Sequence, residues 1–98
     1  MRRFHLVCYD IRDDKRLAQV REAVMDYGWR LQLSVYACEM TDTDAATLTE
    51  RLRDIIHHHE DHVMIIDLGP ALSPGKLPRQ ISHMGQEPNV PNIRHLIF

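Results

Sequence analysis

The segment from residue 4 to residue 11 is apolar on both of the faces that a β-strand would present. One face carries Phe4, Leu6 and Cys8, and the other carries His5, Val7, Tyr9 and Ile11. A strand that is apolar on both sides is typical of the buried centre of a sheet. The segment therefore predicts a central strand that ends at Tyr9-Asp10, with the rest of a small domain packed around it.

Two helices are predicted from their caps and from the spacing of their apolar residues. Asp13 or Asp14 can accept the free backbone N–H groups that begin the first helix, and Gly28 is placed to end it in a left-handed conformation. The run from Thr41 to Asp44 caps the second helix. Apolar residues recur at helical spacing in both, namely Leu17, Val20, Val24 and Tyr27, and then Leu48, Leu52, Ile55 and Ile56.

Three further segments are strand-like. Residues 29–40 alternate without a Gly, Pro or Asn to mark a turn, so their periodicity predicts one unbroken strand. Residues 63–68 form a short apolar strand that Gly69-Pro70 closes, and residues 93–98 form a final strand candidate. Two helices and about four strands in this order predict an α+β fold, a ferredoxin-like β-α-β-β-α-β sandwich with its helices on one face of an antiparallel sheet.

The chain length of 98 residues fits a single domain. A domain of this size buries roughly two-thirds of its unfolded surface, so a face shared with a second copy would stabilise it. We divide the domain into a core of residues 1–69 and a C-terminal extension of residues 70–98, which holds all five prolines. The last strand has no place in a four-stranded core, so we expect it to pair with a sheet edge on a second copy.

Charge is distributed unevenly along the chain. The net charge is −2, but residues 1–36 carry seven basic and five acidic side chains, whereas residues 37–98 carry five and nine. Any phosphate contact is therefore expected from the N-terminal part. Ten of the twelve basic residues are arginines, which suit bidentate phosphate contacts and equally suit surface ion pairs. No apolar run approaches the ~20 residues of a membrane-spanning helix, so we expect no membrane contact and a cytoplasmic protein.

Several stretches, in this order and at these distances, resemble one known family. Val7-Cys8-Tyr9-Asp10-Ile11 and the following Arg12-Asp13-Asp14-Lys15-Arg16 resemble the apolar, Tyr-Asp-Ile, x-Asp-Asp-x-Arg opening of the CRISPR-associated Cas2 family. Residues 27–36 resemble its Gly-x-Arg-x-Gln-x-Ser-Val-aromatic segment, and residues 63–69 resemble its penultimate strand. The tail that includes residues 81–88 and ends in a short apolar strand is also similar to that family.

The resemblance implies a ferredoxin-like homodimer in which the C-terminal strand extends the partner's sheet. It also implies that residues 29–40 form two strands, a break that periodicity does not reveal. The family works in CRISPR spacer acquisition, where a dimer bridges copies of the integrase subunit and holds the duplex DNA to be inserted. Some members are described as Mg²⁺-dependent endonucleases that act on RNA or DNA.

Asp10 is the metal ligand and catalytic residue that the resemblance implies. Two-fold symmetry would place two Asp10 side chains opposite each other, so that one Mg²⁺ ion is shared between two protomers. Mg²⁺ is commonly held by one or two carboxylates, with water and substrate phosphate completing its shell, and it promotes attack of water on a phosphodiester. The alternative is a carboxylate that only accepts local backbone N–H bonds.

Neighbouring residues supply the remaining candidates. Tyr9 and Ser34 are candidate catalytic residues, and Ser34 would bond to phosphate or orient a water, because no His-Asp relay is evident that would make it a nucleophile. The candidate nucleic-acid-binding residues are Arg12, Arg16, Arg30 and Tyr36. Alternatives stay open: the two arginines near the helix start can pair with Asp13 and Asp14, and Tyr36 can belong to a dimer interface.

The histidines and the cysteines are interpreted as structural residues without a functional role. The histidines at positions 57–59 and 62 can bind Zn²⁺ or Ni²⁺ adventitiously, but no i, i+4 pair with a third ligand is evident, so we interpret them as a solvated helix end. Cys8 and Cys38 each lie in an apolar strand and are interpreted as buried, reduced thiols.

Three functions are compatible with these features. The preferred one is a dimeric adaptation protein that bridges integrase subunits on DNA through backbone contacts. The second is a metal-dependent nuclease acting at Asp10. The third is a small-molecule regulatory or interaction module on the same fold, without a nucleic-acid role.

Overall fold

A computed structural model, which describes residues 1–72 and 76–86, contains one four-stranded antiparallel sheet with the strand order β2-β3-β1-β4. The elements are β1 (Arg3–Asp10), α1 (Asp14–Met25), β2 (Gly28–Gln32), β3 (Val35–Met40), α2 (Asp42–Ile55) and β4 (His62–Pro70). β1 lies between β3 and β4, as its two apolar faces predicted. This is the expected ferredoxin-like β-α-β-β-α-β arrangement.

The helices begin at caps that the sequence predicted. The Asp13 carboxylate accepts the backbone N–H of Arg16 at 2.9 Å, which starts α1. Thr41 and Asp44 form a reciprocal capping box at the start of α2, with hydrogen bonds of 3.1 and 3.2 Å. Each cap satisfies N–H groups that have no partner inside the helix. No helix in the described residues is long and apolar enough to cross a membrane.

Gly28 has a different role from the predicted one. α1 ends at Met25, with Asp26 as its C-cap in a right-handed conformation, and Gly28 is the first residue of β2 without a positive φ. A Cβ at Gly28 would overlap the carbonyl oxygen of Ala37 and lie 2.7 Å from the Cys38 sulfur. The prediction of a left-handed stop was therefore wrong, because close approach of β3 is what requires glycine here.

Residues 29–40 form two strands and not one. β2 ends at Gln32 and β3 begins at Val35, with a turn at Leu33-Ser34 that contains no Gly, Pro or Asn. The pairing register shifts between Arg30 and Gln32, which is a β-bulge next to the turn. The unbroken strand predicted from periodicity was wrong, and the two strands implied by the family resemblance are correct.

The core lies between the sheet and the two helices. Its fully buried members include Val7 of β1, Val20 and Val24 of α1, and Leu48 of α2. Cys38 is buried among them, and burial raises the pKa of its thiol to about 12. Both cysteines are free thiols, as the sequence indicated, but Cys8 is only partly buried, so the prediction of burial is correct for Cys38 alone.

The opposite face of the sheet is only partly covered. Leu77 and Ile81 of the C-terminal segment line a cavity with Leu6, Leu31 and Val35, so residues 76–86 lie over this face near β2. They form no helix or strand in the described part of the chain. The strand predicted at residues 93–98 lies outside the described residues.

We expect Gly28→Ala to lower the free energy of unfolding by about 1–3 kcal/mol, because the added methyl group must push the β3 backbone away. Urea denaturation followed by circular dichroism measures this. Gln32→Ala, an exposed position on the same strand, is the control and should change stability by no more than about 0.5 kcal/mol. An unchanged stability for Gly28→Ala would contradict the close packing described above.

Candidate functional site

Asp10 is the last residue of β1, where it pairs with His62 at the start of β4. Its side chain is 63% exposed and receives one ion pair, from the Arg12 guanidinium at 3.3 Å. The alternative of a carboxylate that accepts local backbone N–H bonds is not what the structure contains. Asp10 therefore presents an accessible anionic oxygen at the end of a central strand.

A groove of about 190 Å³ lies beside Asp10, and several of the predicted site residues line it. Tyr9, Ser34 and Arg30 contribute to its walls together with Asp10. They meet because the Tyr9 backbone N–H donates to the Ser34 carbonyl oxygen at 3.1 Å, which ties the β2–β3 turn to the end of β1. The candidates from residues 9–10 and 30–34 thus form one site, although the two segments are 20 positions apart in the sequence.

Arg21 of α1 also lines this groove, and sequence reasoning missed it. Leu17, one helical turn earlier, lines the same wall. The spacing of four residues between them was a usable signal, because residues i and i+4 share a helix face. Arg21 flanks the apolar stripe of α1 at the point where that stripe meets the end of β1.

The two predicted tyrosines stack on each other, with ring centroids 5.8 Å apart and an interplanar angle of 24°. Tyr36 is 1% exposed and belongs to the core, so its ring does not reach a nucleic acid in this structure. Tyr9 is also buried, and burial, together with the neighbouring Tyr36 hydroxyl, raises the pKa of Tyr9 well above its usual range. Tyr9 therefore stays protonated at neutral pH and cannot serve as a general base.

Arg16 is held away from the groove by two acidic residues. Its Nε donates to Asp61 Oδ2 at 2.7 Å and one of its terminal nitrogens lies 3.1 Å from Glu60 Oε1. The sequence offered Asp13 or Asp14 as partners of Arg16, but the structure pairs the guanidinium with residues at the α2–β4 connection. A second bond from Arg16, at 3.2 Å to Asp61 Oδ1, makes the contact bidentate.

Asp61 links the connections that follow β1 and α2. Besides Arg16, its carboxylate accepts the backbone N–H groups of Arg12 at 2.9 Å and His57 at 2.8 Å, and its side chain has no solvent exposure. These donors hold the pKa of the Asp61 carboxyl well below its usual range, with the Arg16 guanidinium as the largest cause. The segment that leaves Asp10 is therefore anchored two residues later, at Arg12.

One chain offers only part of a metal site. Within residues 1–72 and 76–86, no group of three His, Cys, Asp or Glu side chains is placed to hold an ion. Asp10 has the hard anionic oxygen that Mg²⁺ prefers, and its exposure leaves room for water and a second ligand. It thus fits as a single protein ligand, to which a second chain would have to add.

The histidine cluster is an exposed helix end, as predicted. His57, His58 and His59 follow the C-terminus of α2 and are exposed to solvent. The His58 Nε2–H donates to the Arg53 carbonyl oxygen at 3.1 Å, which satisfies one of the free acceptors of the last helical turn.

Comparisons with known proteins agree on one family. A family model described as CRISPR associated protein Cas2 matches residues 1–71. The CRISPR-associated endoribonuclease Cas2 of Geobacter sulfurreducens is 37% identical over 71 residues, which cover 72% of this chain and 75% of that protein. The CRISPR-associated endonuclease Cas2 of Halalkalibacterium halodurans is 30% identical over 98 residues, covering 95% and 97%. The crystal structure of Streptococcus pyogenes Cas2 matches with a TM-score of 0.65 and 29% identity, over 84% of this chain and 99% of that one.

We expect Asp61→Asn to destabilise the protein near pH 7 and to matter progressively less as the pH falls below about 4. Because the folded state lowers the pKa of Asp61, its contribution is fully present above the pKa of the unfolded chain and is lost as the carboxylate becomes protonated. Thermal unfolding of both proteins between pH 3 and pH 7 measures the difference.

Asp54→Asn is the matched control, because Asp54 is exposed on α2; it should unfold like the wild type at every pH. A difference between Asp61→Asn and the wild type that stays constant down to pH 3 would mean that the charge of Asp61 is not what stabilises the fold.

Proposed function

The chain belongs to the CRISPR-associated protein Cas2 family, and from this premise we propose that it works in CRISPR adaptation as a homodimer that bridges integrase subunits and holds duplex DNA. The family resemblance supplies the integrase and the DNA as partners. The same premise speaks against a small-molecule regulatory module. The groove beside Asp10, at about 190 Å³, is also smaller than the ~300–1,000 Å³ of typical small-molecule sites.

The observation that supports the homodimer is a pair of exposed apolar side chains on β4, within the part of the chain that the structure describes. Met64 and Ile66 point away from the helices, on the face opposite Val63 and Ile65, and are 47% and 39% exposed. Exposed apolar side chains that are contiguous on a sheet commonly mark an interface. A second copy that covers them would bury the surface that a 98-residue domain leaves open.

Metal-dependent phosphodiester cleavage is the second candidate function, and it is favoured by the exposure of Asp10 beside the groove. The two relatives described above are named as an endoribonuclease and an endonuclease. Mg²⁺ held by Asp10 of two protomers would supply charge neutralisation at the phosphorus centre and an activated water. Ser34 would donate its hydroxyl to a phosphate oxygen, and Arg30 would offset phosphate charge, whereas Tyr9 would only support the wall of the groove.

We expect Ile66→Lys to convert the proposed dimer to a monomer, because a charge on the exposed apolar face of β4 would have to be buried at the interface without a partner. Sedimentation equilibrium of the purified protein measures the change in mass. Met25→Lys, which also places a lysine at an exposed apolar position, but on α1, should leave the dimer unchanged. A monomeric wild type, or a dimeric Ile66→Lys variant, would contradict this interface.

Asp10→Asn should abolish Mg²⁺-dependent cleavage of RNA and DNA oligonucleotides while preserving DNA binding and spacer acquisition. The amide keeps the shape of the side chain but removes the anionic oxygen that the metal requires. Asp54→Asn serves again as the control and should cleave like the wild type. Loss of acquisition in Asp10→Asn would assign the adaptation role to the nuclease, and full cleavage by that variant would remove Asp10 from the chemistry.

A further inference from the structure

The arginines of the described chain divide into two groups. Six of the nine lie within 4.0 Å of a carboxylate, namely Arg2, Arg3, Arg12, Arg16, Arg51 and Arg53. Among residues 1–72 and 76–86, no carboxylate pairs with the remaining three. Two of these three, Arg21 and Arg30, line the groove beside Asp10, and the third, Arg79, lies elsewhere on the surface.

The groove consequently has the opposite charge from the chain as a whole. Asp10 is neutralised by Arg12 at 3.3 Å, so Arg21 and Arg30 leave the site with a local charge of about +2. The complete chain carries −2. A positive site on a negative protein attracts anions to that one place, and not to the surface in general.

Arg21 and Arg30 approach the groove from different elements. Arg21 belongs to α1 and Arg30 to β2, so two different elements each contribute one arginine to the lining of the groove. Both groups lie near enough to the Tyr9 hydroxyl to favour its ionised form, although burial has the larger effect and raises the pKa of Tyr9. Two planar guanidinium forks around a small cavity suit the oxygens of a phosphate group.

We infer that Arg21 and Arg30 form a phosphate clamp that grips the backbone of duplex DNA beside Asp10. The inference rests on the proposed function, because duplex DNA is the ligand named there. It adds Arg21 to the site and separates the arginines that bind DNA from Arg16, which the fold uses internally. The clamp contacts a single phosphodiester in each protomer and reads no base.

The test is the salt dependence of DNA binding, measured by fluorescence anisotropy with a labelled duplex in EDTA. Each phosphate contact contributes about 0.9 to the slope of log K against log salt concentration. Arg21→Gln and Arg30→Gln should each reduce the magnitude of this slope by about 0.9 for every phosphate contact that the variant loses. Arg79→Gln removes the same charge from a position outside the groove and should leave the slope at the wild-type value.

The possible outcomes separate the clamp from the proposed function. If the wild type binds duplex DNA and all three variants keep the wild-type slope, the clamp is wrong and the proposed function stands. If the wild type does not bind duplex DNA, the proposed function fails and the clamp fails with it. Both arginines are exposed, so unchanged thermal unfolding of the variants should accompany the expected result, and a loss of folding in either variant would contradict their placement.

Discussion

The bidentate contact between Arg16 and Asp61 is the interaction on which the candidate site depends. It joins the start of α1 to the connection between α2 and β4, and the same carboxylate accepts the Arg12 backbone N–H. Since β1 and β4 are neighbours and Asp10 pairs with His62, this contact closes one end of the sheet. The Asp61 carboxylate is fully covered and accepts four N–H bonds. Removal of Arg16 would therefore leave a buried charge without its main partner.

This constraint also decides which residues can meet a ligand. The Arg16 guanidinium is committed to Asp61 and Glu60, so a phosphate would have to compete with two carboxylates for it. Arg12, two residues after Asp10, has its backbone fixed by Asp61 but its exposed side chain paired only with Asp10. The groove is therefore left with the guanidinium groups of Arg21 and Arg30. Arg16, which the fold uses internally, and the two arginines proposed to bind phosphate, Arg21 and Arg30, are therefore different residues of the N-terminal part that the charge distribution singled out.

The sequence predicted the elements whose signals are local. Asp13 and Thr41 were recognisable as caps because a cap and its partner lie within three residues. Two other signals were ambiguous. A glycine after a helix can be required either by a positive φ or, as at Gly28, by close contact with another strand, and the sequence does not distinguish the two. The turn at Leu33-Ser34 contains no Gly, Pro or Asn, so nothing in the sequence marks it. The Arg16–Asp61 contact spans 45 positions, and no periodicity reports a pair so far apart. The family resemblance corrected the strand count because it carries information on tertiary structure that composition does not.

The groove places a proposed phosphate site beside a candidate metal ligand. A phosphate bound by Arg21 and Arg30 would lie beside the Asp10 carboxylate, whose charge is offset by Arg12 at 3.3 Å. Without a divalent ion, Asp10 and Arg12 together therefore add no net charge to the clamp. With such an ion, the same carboxylate would serve as a ligand, and the proposed phosphodiester would lie where cleavage would occur. Under the proposed function, cutting would require Asp10 whereas holding would require only the arginines, so a protein of this architecture could lose the chemistry of Asp10 and still hold DNA.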